Sequence, residues 1–133
     1  MDAPLPSLGT VLLVDDYPSG VLVGTLILEH LGYAVQTASS GREAIEKVRH
    51  ATRPFLAILM DIKMHDIGGF EATKTIRILE REKGYCNTII AVTAHALAGD
   101  RERCIDAGMN DYISKPIHPD ILAHKLAALV NVL

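Results

Sequence analysis

Residues 55–66 read FLAILMDIKMHD, and the six apolar residues that open this stretch decide the fold. The run shows no alternation of apolar and polar residues, and it ends at an acid, Asp61. A fully buried parallel strand has this pattern, and periodicity alone does not separate it from a short buried helix. Pro54 before the run and a glycine pair after it favour a strand of about six residues. Taken alone, Asp61 can be a turn or helix-cap residue. It also sits where open α/β sheets place their ligands.

Strand-like and helix-like segments alternate along the rest of the chain. The predicted strands are Thr10–Val14, Tyr33–Ala38, Phe55–Met60, Thr88–Thr93 and Asp111–Ser114. The predicted helices run from Pro18 to just before Gly32, from a cap at Ser40 to near Ala51, from Phe70 to Lys83, from near Leu97 to Ala107, and from near Pro119 to near Val132. Five such alternations are typical of a doubly wound parallel α/β sheet with helices on both faces.

Size and composition restrict the class of protein. A chain of 133 residues with 49% hydrophobic residues is expected to form one domain, residues 10–133, behind a flexible leader or linker, residues 1–9. The net charge of -3 gives no reason to expect nucleic acid as a direct partner. No apolar stretch reaches the roughly 18 residues of a membrane span. Two cysteines without a signal peptide suggest free thiols in the cytoplasm.

Chemically useful side chains stand at the predicted strand ends. Asp15 and Asp16 follow the first strand, Asp61 the third, Thr93 ends the fourth, and Lys115 follows the fifth. The carboxyl ends of parallel strands share one edge of a sheet, so these residues are expected to converge there. Crowded carboxylates repel one another unless a cation is present, and Mg²⁺ prefers such oxygen ligands. Calcium is less suited, since the chain lacks the dense acidic loop of an EF-hand.

Magnesium, an acid, a lysine and a hydroxyl together predict a site that handles phosphoryl groups. An aspartate can act as the nucleophile and form an acyl phosphate. Lys115 would neutralise phosphoryl charge, and Thr93 would donate a hydrogen bond. Each of these residues alone has an ordinary explanation as a cap, strand or surface residue. Their joint placement is what predicts the site.

Six short pieces of the chain stand in a specific order and spacing. They are VLLVDD ending at Asp16, LMD at 59–61, Met64, Gly69, VTA at 92–94 and DYISKPI at 111–117. With these pieces the chain resembles, from Gly9 to Leu133, the receiver domain of two-component response regulators. The resemblance implies a flavodoxin-like fold with five strands in the order 2-1-3-4-5 and five helices.

The resemblance also implies roles for residues at the acidic site. Asp61 would be the phosphoacceptor. Asp16 would bind Mg²⁺ directly, Asp15 mainly through water, and Lys63 would add its backbone carbonyl. Lys63 also stands at a position that modulates hydrolysis in the family, as does His95. We hypothesise that Lys63 shields the acyl phosphate from water.

Further roles follow from the same resemblance. Thr93 and Lys115 would contact the phosphoryl group, and the Lys115–Pro116 peptide bond would be cis. Tyr112 occupies the aromatic switch position, which in the family rotates with a shift of the threonine and alters the face made by helix 4, strand 5 and helix 5. The domain would then pass the phosphoryl group on or change its binding face, with a possible dimer through that face.

Two positions depart from the family pattern in the loop after Asp61. His65 stands where the family often has proline, and Gly68 replaces the acid usual before Gly69. These changes touch the loop over the site and leave the reacting groups intact. They bear on loop rigidity and on the lifetime of the phosphoryl group.

The stretch Thr93–Pro116 most resembles receivers attached to hybrid histidine kinases, and a free-standing receiver is the competing interpretation. In either case a histidine kinase or phosphotransfer protein would be the partner, pairing around Ser19–Leu28. The chain would be no enzyme beyond its own phosphoryl transfer and hydrolysis.

Two other classes of function stay open. A haloacid dehalogenase-type phosphatase also uses a strand-end Asp with magnesium, but it would want an acid two residues after its nucleophile, where this chain has Lys63. A receiver-like interaction domain that is never phosphorylated would not need the complete set of polar site residues.

Overall fold

The computed structural model describes residues 7–94 and 99–130. Within these ranges strands and helices alternate strictly along the chain. The strands are β1 Thr10–Val14, β2 Ala34–Ala38, β3 Ala57–Asp61, β4 Ile89–Thr93 and β5 Asp111–Ser114. The helices are α1 Pro18–His30, α2 Gly41–His50, α3 Gly69–Lys83, α4 Asp100–Ala107 and α5 Pro119–Val130.

The strands form one parallel sheet in the order β2-β1-β3-β4-β5, which confirms the predicted fold. Its register aligns the carboxyl ends of the central strands. Val14 pairs with Met60 across β1 and β3, and Asp61 pairs with Val92 across β3 and β4. The polar residues at these strand ends are therefore brought to one edge of the sheet.

The central strand β3 is buried along its whole length, which explains its unbroken apolar sequence. Ile58 and Met60 point into a core cluster with the apolar residues of α2, α3 and α4. Ala57 and Leu59 point to the opposite face, where α1 and α5 contribute Leu28 and Leu122, among others. Burying a side chain such as Leu59 contributes about 1.5–3 kcal/mol to folding.

The element boundaries differ from the predicted ones at several places. The strand predicted from Phe55 begins at Ala57, and the backbone N–H of Phe55 donates to the Asn87 side chain at 2.6 Å instead of to a neighbouring strand. The predicted N-cap at Ser40 is confirmed: its hydroxyl accepts from the Glu43 N–H at 3.0 Å. The start of the fourth helix near Leu97 and the end of the last helix near Val132 lie outside the described residues.

The amino-terminal segment meets the fold at Leu8 and Gly9. Leu8 donates its N–H to the Gly32 carbonyl at 3.0 Å, and the Gly9 carbonyl accepts from the Ala34 N–H at 3.0 Å. Most of the predicted leader, residues 1–6, lies outside the described residues.

Both cysteines are free thiols; Cys86 is exposed, and Cys104, a residue of α4, is packed in the core. Among the described residues, no helix combines the length and apolar character that crossing a membrane requires.

Candidate functional site

Three carboxylates meet at the carboxyl edge of the sheet. Asp15 and Asp16 directly follow β1, and Asp61 is the last residue of β3. Ligand oxygens from the three side chains lie within 4.8 Å of one another. Asp15 and Asp61 are 6% and 5% exposed, and the Asp16 side chain is 10% exposed. The predicted convergence of these acids is present in the structure.

Backbone N–H groups from the adjoining turns orient the carboxylates of Asp15 and Asp61. Asp15 Oδ1 accepts from the Tyr17 N–H at 2.9 Å, and Asp61 Oδ1 accepts from the Lys63 N–H at 3.4 Å. These donors come from the same turn as the acid, two residues further along. The sequence after each strand therefore fixes the direction of its carboxylate.

Two glycines let helices approach these acids closely. A side chain at Gly20 in α1 would overlap the carboxylate of Asp15, and one at Gly69 in α3 would overlap the backbone of Asp61. Both helices begin beside the site as a result. The Gly69 position belongs to the matched family pattern, whereas sequence reasoning did not single out Gly20.

Lys115 brings positive charge into this acidic cluster. Its Nζ atom lies 3.3 Å from Asp61 Oδ2 and 3.7 Å from Asp15 Oδ2. The backbone holds it there: the Lys115 N–H donates to the Thr93 carbonyl at 2.7 Å, and the Lys115–Pro116 peptide bond is cis. The lysine thus contacts two of the three acids from the far side of β4.

The electrostatics of Asp61 reflect this crowding. Burial raises the pKa of the Asp61 carboxyl above its ordinary value, and the negative charge of Asp15 raises it further. The Lys115 ammonium and the Lys63 N–H act in the opposite direction and compensate only partly. A carboxylate in this position gains from any additional positive charge nearby.

The cluster offers carboxylate ligands for a cation, and one of its buried oxygens lacks a hydrogen-bond donor among the described residues. Asp16 Oδ1 is buried and accepts no hydrogen bond from the described residues. A buried anionic oxygen without a donor is costly, and a bound cation removes that cost. With only carboxylate oxygens converging, the donor set suits a hard divalent ion such as Mg²⁺. The residues therefore fit a metal ion.

Three further predicted site residues lie on β4, on β5 and in the loop after β3. Thr93 is the last residue of β4 and is 7% exposed. Tyr112 lies on β5 opposite Ala91, half-buried and packed against the cluster that α2, α3 and α4 share. The side chain of Lys63 is exposed to solvent. His95, the other predicted modulating position, lies outside the described residues.

Sequence reasoning missed the role of Asp66 in the loop between β3 and α3. Its carboxylate accepts from the N–H groups of Gly41 and Arg42 at 3.1 and 3.0 Å, so it caps α2 from a distant part of the chain. Burial acts to raise the pKa of Asp66, but these donors and the Ile67 N–H lower it below its ordinary value. No local sequence signal distinguishes such a long-range cap from a solvated loop acid.

This chain is similar to a described protein family and to individual histidine kinases. The family described as response regulator receiver domain matches residues 11–127. The signal transduction histidine-protein kinase BarA of Escherichia coli K12 is 39% identical over 117 residues, which cover 88% of this chain and 12% of that protein. Sensor histidine kinase GacS of Pseudomonas protegens is 37% identical over 114 residues, which cover 85% of this chain and 12% of that protein. The chain thus spans about an eighth of the length of these relatives.

Solved structures of receiver domains from histidine kinases are also similar to this chain. The receiver domain of sensor histidine kinase PA1611 from Pseudomonas aeruginosa, with a magnesium ion in its active-site cleft, is 37% identical with a TM-score of 0.82, covering 93% of this chain and 98% of that one. The receiver domain of histidine kinase CKI1 from Arabidopsis thaliana, complexed with Mg²⁺ and BeF₃⁻, is 30% identical with a TM-score of 0.82, covering 92% and 90%.

Proposed function

Because this chain belongs to the response regulator receiver domain family, we propose that it accepts a phosphoryl group from a phosphohistidine onto Asp61 in a two-component phosphorelay. The observation that carries the proposal is the environment of Asp61: a buried strand-end carboxylate with Lys115 Nζ at 3.3 Å and two further acids within 4.8 Å. This combination of nucleophile, fixed cation and metal-binding acids is what transfer to a carboxylate requires.

In the proposed step a carboxylate oxygen of Asp61 attacks phosphorus in line with the histidine nitrogen. The P–N bond breaks as the P–O bond forms, and the imidazole leaves with the electron pair of the broken bond. Lys115 stabilises negative charge on the phosphoryl oxygens, and the Thr93 hydroxyl donates a hydrogen bond to one of them. The product is an acyl phosphate on Asp61.

Asp16 and Asp61 would hold Mg²⁺ directly, Asp15 mainly through water, and Lys63 would contribute its backbone carbonyl. The orphaned Asp16 Oδ1 and the close approach of the three carboxylates support this assignment. When bound, the ion offsets the negative charge that develops on the phosphoryl oxygens during transfer. The Lys63 N–H bond to Asp61 Oδ1 keeps the Lys63 peptide beside the site.

Helix α1 is the proposed pairing surface for the partner that carries the phosphohistidine. Three large apolar side chains of α1 and that of Tyr17, just before it, are half or more exposed: Tyr17 at 64%, Leu22 at 61%, Val23 at 54% and Leu26 at 58%. Tyr17 is bonded through its backbone to Asp15, so this patch adjoins the acidic site. An apolar patch beside a reaction site is typical of a protein-docking surface. A histidine kinase or a phosphotransfer protein would cover it.

The output of phosphorylation is proposed to run through Thr93 and Tyr112. A shift of the Thr93 hydroxyl toward the phosphoryl group would leave room for the Tyr112 ring to turn. Next to this ring lies a surface cavity of about 520 Å³, with Arg101, Ile121 and Lys125 in its walls. Rotation of the ring would change the face formed by α4, β5 and α5, where a partner or a second copy would bind.

We propose that residues 10–133 form the receiver domain and that residues 1–9 are a leader or linker. The curated relatives that the chain matches are far longer kinases, which supports a receiver within a cytoplasmic hybrid histidine kinase over a free-standing one. The unit itself would catalyse only its own phosphorylation and hydrolysis.

Intact-mass measurement after incubation with acetyl phosphate and Mg²⁺ tests the proposal. One phosphoryl adduct is expected on the wild type and none on Asp61→Asn or in a magnesium-free sample. An adduct that persists in Asp61→Asn would move the acceptor to another residue. If the wild type takes up no phosphoryl group and BeF₃⁻ leaves its amide spectrum unchanged, the unphosphorylated interaction domain is the correct class.

A further inference from the structure

His65 reaches the acidic cluster from the solvent side. Its backbone N–H donates to Asp16 Oδ2 at 3.1 Å, and its imidazole Nε2 lies 3.5 Å from the same oxygen. The side chain is 92% exposed, so the ring can turn without displacing other groups. The backbone bond anchors the residue next to Asp16, whatever the orientation of the ring.

The partner of His65 is itself poised to bind a ligand. The Asp16 side chain is 10% exposed, and its Oδ1 atom is buried without a hydrogen-bond partner among the described residues. His65 contacts the other carboxylate oxygen, Oδ2, so a cation bound at that oxygen would lie close to the imidazole nitrogen. An exposed histidine–aspartate contact without such an ion would contribute little to stability.

The spacing of the two atoms is compatible with a shared metal ion. Nitrogen and oxygen ligands at about 2.1 Å from one ion are separated by about 3.0 Å in adjacent octahedral positions and by about 3.4 Å in tetrahedral ones. Asp16 Oδ2 and His65 Nε2 are 3.5 Å apart in the structure. The imidazole is not among the groups whose ligand atoms converge within 4.8 Å, so the exposed ring would turn toward Asp15 and Asp61 to join an ion that the acids hold.

We propose that His65 is an additional nitrogen ligand of the ion held by Asp16, so that the site binds imidazole-preferring transition ions as well as Mg²⁺. Imidazole suits Zn²⁺ and Ni²⁺, whereas Mg²⁺ is satisfied by carboxylate, carbonyl and water. A proline at this position, as is frequent in the family, offers no such ligand. The inference rests on the proposed function only in that both use the same acidic cluster.

Calorimetric titration with Ni²⁺ and with Mg²⁺, without any phosphoryl donor, tests the proposal. Ni²⁺ is the better probe, since the exposed thiol of Cys86 would also attract Zn²⁺. For His65→Ala we expect Ni²⁺ affinity to fall by about tenfold or more, because even an outer-shell partner of a metal is worth about 10- to 100-fold. Mg²⁺ affinity should stay within about twofold, since that ion does not use imidazole.

Matched variants separate this effect from adventitious binding. His50→Ala removes another exposed histidine, which lies beside Glu46, and should leave both affinities unchanged. Asp16→Asn should lower the affinity for both Ni²⁺ and Mg²⁺. In NMR spectra, substoichiometric Ni²⁺ should broaden the His65 ring signals before those of His50.

Two results would overturn the proposal. Equal Ni²⁺ affinity in wild type and His65→Ala would show that His65 does not bind the ion. An equal loss of affinity for Ni²⁺ and Mg²⁺ in His65→Ala would mean that His65 only orients Asp16. Neither result bears on phosphorylation, because the titrations contain no donor. Conversely, a wild type without any phosphoryl adduct would leave the Ni²⁺ result standing.

Discussion

The ammonium of Lys115 lies 3.3 Å from Asp61 Oδ2, although the two residues are 54 positions apart in the chain. The contact crosses the end of β4, since Asp61 ends β3 and Lys115 follows β5. It places a fixed positive charge where the proposed acyl phosphate would form. The acidic cluster would otherwise repel an incoming phosphoryl group.

Removing this charge should slow phosphorylation far more than it affects folding. For Lys115→Ala we expect the rate of adduct formation with acetyl phosphate to fall by about 10²- to 10³-fold, the usual cost of one electrostatic stabiliser. The measurement is a time course of intact mass. Lys125→Ala is the matched control, because Lys125 also pairs with an aspartate, Asp111 at 2.7 Å, away from the acidic site. A Lys115→Ala rate equal to that of the wild type would contradict the assigned role.

The raised pKa of Asp61 predicts how stability depends on pH. The folded protein holds the Asp61 proton to higher pH than the unfolded chain does, because burial and Asp15 disfavour the carboxylate. The free energy of unfolding should therefore decrease as pH rises from the unfolded pKa, about 3.9, through the raised folded value. Asp61→Asn should consequently be more stable than the wild type at neutral pH without divalent ions.

Thermal unfolding in EDTA at several pH values checks this prediction. The stability gain of Asp61→Asn should shrink as pH falls below the unfolded pKa, where both states carry the proton. Adding Mg²⁺ should stabilise the wild type more than the variant, since ligands stabilise the state that binds them. A variant that is less stable than the wild type at neutral pH in EDTA would show that Lys115 dominates over burial.

The convergence at the sheet edge was predictable from the residues, whereas the exposure of α1 was expected only from the family resemblance. Asp15, Asp61 and Lys115 follow buried strands of a parallel sheet, and the topology alone brings such residues together. The sequence of α1 is apolar over most of its length, but only Gly24 and Leu28 are buried. Apolar character shows that a residue avoids water, and it does not show whether the core or a partner covers it.

The polar network around Arg77 was also beyond sequence reasoning. Arg77 donates to the carbonyls of Gly108 and Asn87 and to Glu80 Oε1, all between 2.7 and 2.9 Å. Glu80 is only 2% exposed and accepts from the Asn87 side chain at 2.7 Å. On helical periodicity alone, charged residues such as Arg77 and Glu80 are expected on a solvated face. Their actual partners are Asn87, just before β4, and Gly108, just after α4.

Breaking this network should strongly destabilise the fold. Arg77→Ala leaves the buried Glu80 carboxylate without its cation, and losing one partner of a buried pair costs about 3–5 kcal/mol. The measurement is urea unfolding. Arg81→Ala, on the exposed side of the same helix, should change the free energy of unfolding by no more than about 0.5 kcal/mol. An Arg77→Ala variant as stable as Arg81→Ala would mean that water replaces the guanidinium without cost.

The exposed side chain of Lys63 should prolong the life of the acyl phosphate. Its N–H bonds to Asp61 Oδ1, so the side chain begins beside the reacting carboxylate and can obstruct the approach of water. Lys63→Ala should lose its phosphoryl group faster than the wild type in Mg²⁺ buffer after the donor is removed. Lys74→Ala, an exposed lysine on α3, should lose it at the wild-type rate. A Lys63→Ala protein with an unchanged rate of loss would eliminate the shielding role.

Substitution on α1 should separate protein-to-protein transfer from chemistry at the site. Leu26 is 58% exposed within the apolar patch, so Leu26→Asp should leave folding and labelling by acetyl phosphate unchanged. Transfer from a histidine-phosphorylated phosphotransfer domain that labels the wild type should fall by about tenfold or more, the effect of losing a contact worth about 1.4 kcal/mol. Ile78→Asp is the matched control, because Ile78 is 57% exposed on α3. If both variants slow the transfer equally, α1 has no special part in docking; if only Leu26→Asp does, the partner approaches Asp61 across α1.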